Sequence, residues 1–91
     1  MAYRIELPKD VLRFLDRLSK SSPEDYLRID SAIDALGSEP RPKNAKKLRG
    51  RAPLYRLRVG SYRIIYAVFD PDRLVTIEGI GRRTTTTYKE R

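Results

Sequence analysis

The stretch between Glu39 and Asp70 holds nine basic residues and no acid: Arg41, Lys43, Lys46, Lys47, Arg49, Arg51, Arg56, Arg58 and Arg63. Lys and Arg side chains donate hydrogen bonds and accept none, so a cluster of them attracts anions rather than metal ions. The last three sit in strand-like surroundings. Leu54–Val59 and Tyr62–Phe69 are rich in Tyr, Ile and Val, and Gly60-Ser61 between them suits a two-residue hairpin turn. That turn predicts Val59 facing Tyr62, Arg58 facing Arg63, Leu57 facing Ile64, Arg56 facing Ile65 and Tyr55 facing Tyr66. One face then collects Tyr55, Leu57, Val59, Tyr62, Ile64 and Tyr66, and the other collects Arg56, Arg58 and Arg63. Like charges directly opposite on a sheet are destabilising, by roughly tenths of a kcal/mol. A solvated face that happens to be basic is one reading. The other is an anion site, with guanidinium forks aimed at phosphate.

Other chemistries lack their residues. The chain has no His and no Cys, which removes the commonest general base, a thiol nucleophile and zinc–thiolate sites. No GxxxxGK[ST] loop, no GxGxxG opening a helix and no metal-ligand spacing occurs. Gly79-Ile80-Gly81 is too short for a phosphate loop and suits close packing or a bend at a strand end. Asp10, Asp16, Glu24, Asp25, Asp30 and Asp34 fall in helical segments, where they read as solvated faces and first-turn charges. That disfavours a metal-dependent nuclease. Metal-free RNA cleavage needs less. Attack of a 2′-hydroxyl on its neighbouring phosphate requires in-line geometry, stabilised equatorial oxygens, a base and an acid. Arginines supply the charge. A tyrosine serves as a base when nearby cations lower its pKa from about 10. Gly81-Arg82-Arg83, four threonines and then Tyr88 offer such a tyrosine; packing of a frayed tail is the other reading of Tyr88.

Several elements must position these groups. Tyr3-Arg4-Ile5-Glu6-Leu7 alternates apolar and polar residues, the pattern of a half-buried strand, and Pro8 ends it. From Lys9 the period becomes helical: Val11, Leu12, Leu15 and Leu18 line one face with Phe14 beside them, and Asp10, Arg13, Asp16 and Arg17 take the polar side. Ser22 is the expected N-cap of a second helix, with Pro23 in its first position and Glu24 and Asp25 in its first turn. Tyr26, Ile29, Ile33 and Leu36 follow at helical spacing, and Gly37 suits the C-cap. The prolines at 40 and 42 forbid a long helix from Pro40 to Gly50, which is expected as a basic loop or short turn with no fixed sheet position. Asp70-Pro71-Asp72 makes a turn, and Leu74–Ile80 a last strand. The order β-α-α-β-β-β implies an α+β fold, an antiparallel sheet with an N-terminal helical hairpin packed on one face, as a single domain over 1–91.

The formal net charge of +8 points to an anionic partner, nucleic acid or an acidic protein. Few aromatics interleave with the basic run at 41–51, so base stacking there has little support. No apolar run approaches ~20 residues, and the opening MAYRIELPKD lacks a signal-peptide stretch. A cytoplasmic protein without a membrane partner is expected.

Leu48-Arg49-Gly50, the block Tyr55-Arg56-Leu57-Arg58-Val59-Gly60-Ser61-Tyr62-Arg63-Ile64-Ile65-Tyr66, the segment Ile80-Gly81-Arg82-Arg83 and Tyr88 together resemble the RelE/ParE toxin superfamily. The resemblance covers nearly the whole chain, including the opening strand and the helical hairpin. Its RelE branch implies a toxin of a type II toxin–antitoxin pair, an endoribonuclease that cuts messenger RNA on the ribosome without metal or cofactor and so inhibits translation. Matched by position, Arg56, Arg58 and Arg63 would hold the phosphate and stabilise its transition state. Arg83 would assist the leaving group, and Tyr88 would activate or orient the 2′-hydroxyl. Arginines at 56 and 58 stay protonated and cannot act as neutral bases. The remaining bases, Arg41, Lys43, Lys46, Lys47, Arg49, Arg51 and Arg82, are expected to dock RNA of the ribosome. The implied partners are a cognate antitoxin (RelB-like or other), the ribosome and messenger RNA. The ParE branch shares the fold and poisons DNA gyrase instead, and a non-catalytic RNA-binding module is a third possibility.

Overall fold

The computed structural model describes residues 2–48, 50 and 53–82. Strand β1, Arg4–Glu6, is followed by helices α1, Lys9–Ser21, and α2, Pro23–Leu36. Then come β2, Ala45–Lys47, β3, Leu54–Val59, and β4, Tyr62–Phe69, a short 3-10 turn at Asp70–Asp72, and β5, Leu74–Arg82. The sheet order is β1-β5-β4-β3-β2. The α+β fold is as expected, with two corrections. The sheet is mixed, because β1 runs parallel to β5 (Ile5 beside Val75) while every other pair is antiparallel. The 40–50 segment read as a loop contributes a fifth strand, Lys46 pairing with Arg56 and Lys47 with Tyr55. Three residues between Pro42 and Gly50 suffice for a strand once a neighbouring edge offers backbone partners, and a strand that short leaves almost no periodicity to read.

The helical hairpin forms where expected, but its capping residues act differently from the expectation. Ser22 ends α1 and caps α2, with Pro23 in the first turn. The Ser22 hydroxyl donates to Asp25 Oδ2 at 3.0 Å rather than accepting a backbone N–H. Gly37 caps α2 in right-handed conformation, φ −67°. There a Cβ would stand only 3.2 Å from the Asp34 carbonyl oxygen. Val11, Leu15 and Leu18 of α1 and Ile29, Ile33 and Leu36 of α2 meet Leu57, Tyr62, Ile64, Tyr66, Val68, Val75 and Ile77 of the sheet. Tyr66 lies fully inside this core, and its hydroxyl donates to the Pro40 carbonyl at 2.7 Å, tying the segment after α2 to the sheet. Burial pushes its phenol up to about 12. Among the described residues no helix is long and apolar enough to cross a membrane.

The β3–β4 register agrees with the expected one residue by residue, from Tyr55–Tyr66 to Val59–Tyr62. Gly60 carries the positive φ of the turn, +61°, at the first of its two positions, where a type II′ turn requires glycine. The β4–β5 ladder is irregular. Tyr66 pairs with Ile77 but Ile65 pairs with Gly79, so Glu78 is an extra residue, a β-bulge.

Candidate nucleic-acid interface

Alternation along β3 and β4 sends Leu57, Tyr62, Ile64 and Tyr66 into the core, and therefore Arg56, Arg58 and Arg63 to the opposite face. Arg58 and Arg63 are direct cross-strand partners, and Lys46 of β2 lies beside Arg56. Four cations thus share the half of the outer face nearest the β3–β4 turn. Arg58 is exposed, Arg56 and Arg63 half-buried, and Nε of Arg63 is covered. Asn44, Lys46, Arg56 and Arg58 surround a shallow cleft of about 260 Å³. Among the described residues Arg56 and Arg58 form no ion pair, whereas Arg4, Lys20, Arg28 and Arg41 each pair with a carboxylate. Charges gathered at such spacing are poised for an anion, and guanidinium groups suit phosphate.

The bulge at Glu78 decides what lies on the other side of Arg63. Simple alternation from Val75 and Ile77 would turn positions 79 and 81 toward the helices. The extra residue instead sends Ile80 to the core and places Gly79 beside Ile65 and Gly81 beside Arg63 on the outer face. A Cβ added at either glycine would meet nothing within 4 Å. The arginines are therefore flanked by a bare strip of backbone. Neither glycine was expected in the interface, although their spacing of two in a strand is a signal that both share a face.

The same bulge sends Arg82 to the helix side, where its guanidinium lies over the Tyr62 ring, 5.2 Å from the centroid. Arg82 is therefore separated by the sheet from Arg56, Arg58 and Arg63. Arg41 is also set apart. Its Nη2 pairs with Asp70 Oδ2 at 2.7 Å, its Nε donates to the Tyr55 hydroxyl at 2.9 Å, and its guanidinium faces that ring. The Tyr3 hydroxyl donates to Asp70 Oδ1 at 2.6 Å. Its hydrogen bond and Arg41 hold the Asp70 carboxyl below the usual range. The basic residue expected to dock RNA thus clasps β1, β3 and the 3-10 turn together. Lys47 pairs with Tyr55 and so lies on the helix side, opposite Lys46, and Lys43 is exposed in the turn before β2. Of the bases in the 41–51 run, the structure gathers Lys46 with the arginines and disperses Arg41, Lys43 and Lys47. Arg49, Arg51, Arg83 and Tyr88 lie outside the described residues. Among the described residues no group of three or more carboxylates is placed to share a metal ion.

Comparison with known proteins identifies the fold and the family. The family model for ParE toxins of type II toxin–antitoxin systems matches residues 5–86. A Methanocaldococcus jannaschii chain named as toxin RelE1 is 34% identical over 86 residues, covering 91% of this chain and 92% of its own length. The archaeal RelE-RelB complex from Pyrococcus horikoshii contains a similar fold, with TM-score 0.76, 35% identity and coverage of 91% of this chain and 97% of that one. The toxin–antitoxin complex RelBE2 of Mycobacterium tuberculosis aligns with TM-score 0.74 and 25% identity, over 91% and 93% of the two chains. A match along nearly the whole chain, on the same helical hairpin and sheet, makes this protein a member of the RelE/ParE family of toxins of type II toxin–antitoxin systems.

Proposed function

We propose that the protein is a metal-independent endoribonuclease that cuts messenger RNA on the ribosome and thereby inhibits translation. The observation that carries this reading is the arrangement of Arg56, Arg58 and Arg63 on one open sheet face bordered by Gly79 and Gly81, with no ion pair at Arg56 or Arg58 among the described residues. In the reaction the substrate's 2′-oxygen bonds to phosphorus as the bond to the 5′-oxygen breaks. The 2′-hydroxyl gives up its proton and the departing 5′-oxygen gains one, leaving a 2′,3′-cyclic phosphate. The guanidinium groups stabilise the charge that builds on the phosphoryl oxygens. Being already in place, they do so without reorganising, and removing one such donor typically costs about 2.7–4 kcal/mol of barrier. By family resemblance Tyr88 takes the proton-handling role and Arg83 assists the leaving group. The similar chains of Pyrococcus horikoshii and Mycobacterium tuberculosis form complexes with antitoxins. A cognate antitoxin is proposed here as well, one with acidic residues to meet the +8 charge.

A second reading has one observation in its favour: the matching family model is that of the ParE toxins, and the ParE branch acts on DNA gyrase. Primer extension on translating ribosomes with wild type and Arg58→Ala, beside a gyrase cleavage assay, separates the two. Ribosome-dependent cuts that weaken in Arg58→Ala support the nuclease. Gyrase trapped on DNA, with no cuts in messenger RNA, sinks it.

A further inference from the structure

The departing 5′-oxygen must gain a proton as its bond to phosphorus breaks, and the arginines cannot supply it. A guanidinium group keeps its protons in a protein, so Arg56, Arg58 and Arg63 stabilise charge without closing the proton balance. The same holds for Arg83. The tyrosines of β3 and β4, Tyr55, Tyr62 and Tyr66, turn to the core side of the sheet. The carboxylates of the outer face lie beyond the glycine strip: Glu6 on β1 pairs with Arg4, and Glu78 on β5 accepts from the Thr76 hydroxyl at 2.9 Å. Lys46 is different in kind. A lysine ammonium can release a proton and recover it from water, and its four-carbon stem is flexible. Lys46 stands directly across from Arg56, is exposed, and shares with Asn44, Arg56 and Arg58 the cleft of about 260 Å³. The backbone beneath it is tied at both ends. The Ala45 amide donates to the Pro42 carbonyl at 2.9 Å, and the Leu48 amide to the Leu54 carbonyl at 2.9 Å. Upstream, the Tyr66 hydroxyl holds the Pro40 carbonyl and Asp70 holds Arg41. A side chain read as part of a loose loop thus rises from a fixed position at the rim of the arginine cluster.

We propose that Lys46 is a catalytic residue, the general acid that protonates the departing 5′-oxygen of the messenger RNA. The assignment rests on the nuclease reading. As the 2′-oxygen bonds to phosphorus, the bond from phosphorus to the 5′-oxygen breaks and its electron pair stays on that oxygen. Lys46 Nζ passes one proton to it, leaving a cyclic phosphate, a free 5′-hydroxyl and a neutral amine. The amine then takes a proton from water, and the proton given up by the 2′-hydroxyl restores the balance. An alkoxide is a far stronger base than an amine, so the transfer runs downhill once the bond begins to break. The labour on the face is divided by chemistry. Arg56, Arg58 and Arg63, which cannot part with a proton, meet the charge on the phosphoryl oxygens. Lys46, at the β2 edge, serves the leaving group, so the downstream part of the messenger departs over β2.

The test uses the full chain and two short messengers on programmed ribosomes, identical except that one carries sulfur in place of the 5′-oxygen at the mapped cut site. A thiolate leaves without being protonated, so the sulfur messenger has no need of a general acid. Wild type should cut both. K46A and K46R should cut the natural linkage more slowly by on the order of 10² to 10⁴, and the sulfur linkage within about tenfold of wild type. K46R keeps the positive charge and so separates proton transfer from charge. Both variants should melt as wild type does, because the Lys46 side chain is exposed. A K46R that cuts the natural linkage at the wild-type rate overturns the proposal, since Lys46 would then be a point charge. Equal losses on the two linkages overturn it as well, by making Lys46 a residue of binding or packing. A wild type that cuts neither messenger overturns the nuclease reading and this inference with it, whereas a wild type that cuts while both variants match it removes Lys46 alone.

Discussion

Replacing Gly81 by valine should make the protein more stable and less active. Gly81 lies in β5 opposite Arg63, on the outer face, with no left-handed φ. A Cβ there meets nothing within 4 Å, so valine enters without a clash. Glycine in a strand interior gives up more backbone entropy on folding than other residues, roughly 0.5–1 kcal/mol relative to alanine. Valine adds a strand preference on a scale spanning about 1 kcal/mol. A gain of about 0.5–1 kcal/mol in a domain of this size raises Tm by roughly 2–8 °C. The same side chain would stand over the bare backbone beside Arg63 and hold a phosphate off its guanidinium. Losing one such contact costs about 2.7–4 kcal/mol of barrier, on the order of 10² to 10³ in rate. Gly81→Ala, with one carbon, should fall between. Differential scanning calorimetry reads the first effect, and primer extension on translating ribosomes the second. Full cleavage by a stabilised Gly81→Val would refute the idea that the substrate needs this strip. A Tm below wild type would refute the account of the site as open space.

Arg58→Ala should leave Tm unchanged or slightly raised, because it removes a like-charge pair worth roughly tenths of a kcal/mol, while cutting cleavage by about 10² or more; unimpaired cleavage in primer extension would remove Arg58 from the site. Tyr66→Phe should lower stability by about 1–3 kcal/mol in urea titration, since it deletes the buried bond to the Pro40 carbonyl; a loss below the error of the titration would contradict that bond. Tyr66 titrates near 12 in the folded protein and near 10 unfolded, so its contribution is fully present below pH 10 and is lost as pH rises toward 12. Tyr66→Phe should flatten that alkaline slope. The folded-state pKa of Asp70 is lowered, first by the Tyr3 hydroxyl and then by Arg41, so its stabilisation is present above the usual carboxylate range and is lost as pH falls through it. Asp70→Asn should remove that part of the acid dependence; an unchanged acid limb in thermal melts would mean the clasp contributes nothing.

The hairpin was legible residue by residue and the two helices nearly so, because their signals are local; Leu12, expected on the buried face of α1, is instead 49% exposed. The Gly60-Ser61 turn sets the register of β3 on β4, and a period of two then puts Arg56, Arg58 and Arg63 on one face with no reference to the rest of the chain. Pro23 at the start of α2 and the spacing of Ile29, Ile33 and Leu36 likewise act within a few residues. Long-range packing determined the rest. The short β2 exists because the β3 edge supplies partners to Ala45–Lys47, and β1 runs parallel to β5 because the helical hairpin returns the chain across the sheet. Arg41 is held apart from the arginine face by Asp70, 29 residues away in sequence and 2.7 Å from it. The single extra residue at Glu78 reversed the faces of everything after it, moving Gly79 and Gly81 beside the arginines and Arg82 to Tyr62 on the far side. A bulge depends on how two strands fit around a shared core, so the alternation read along one strand cannot reveal where it breaks.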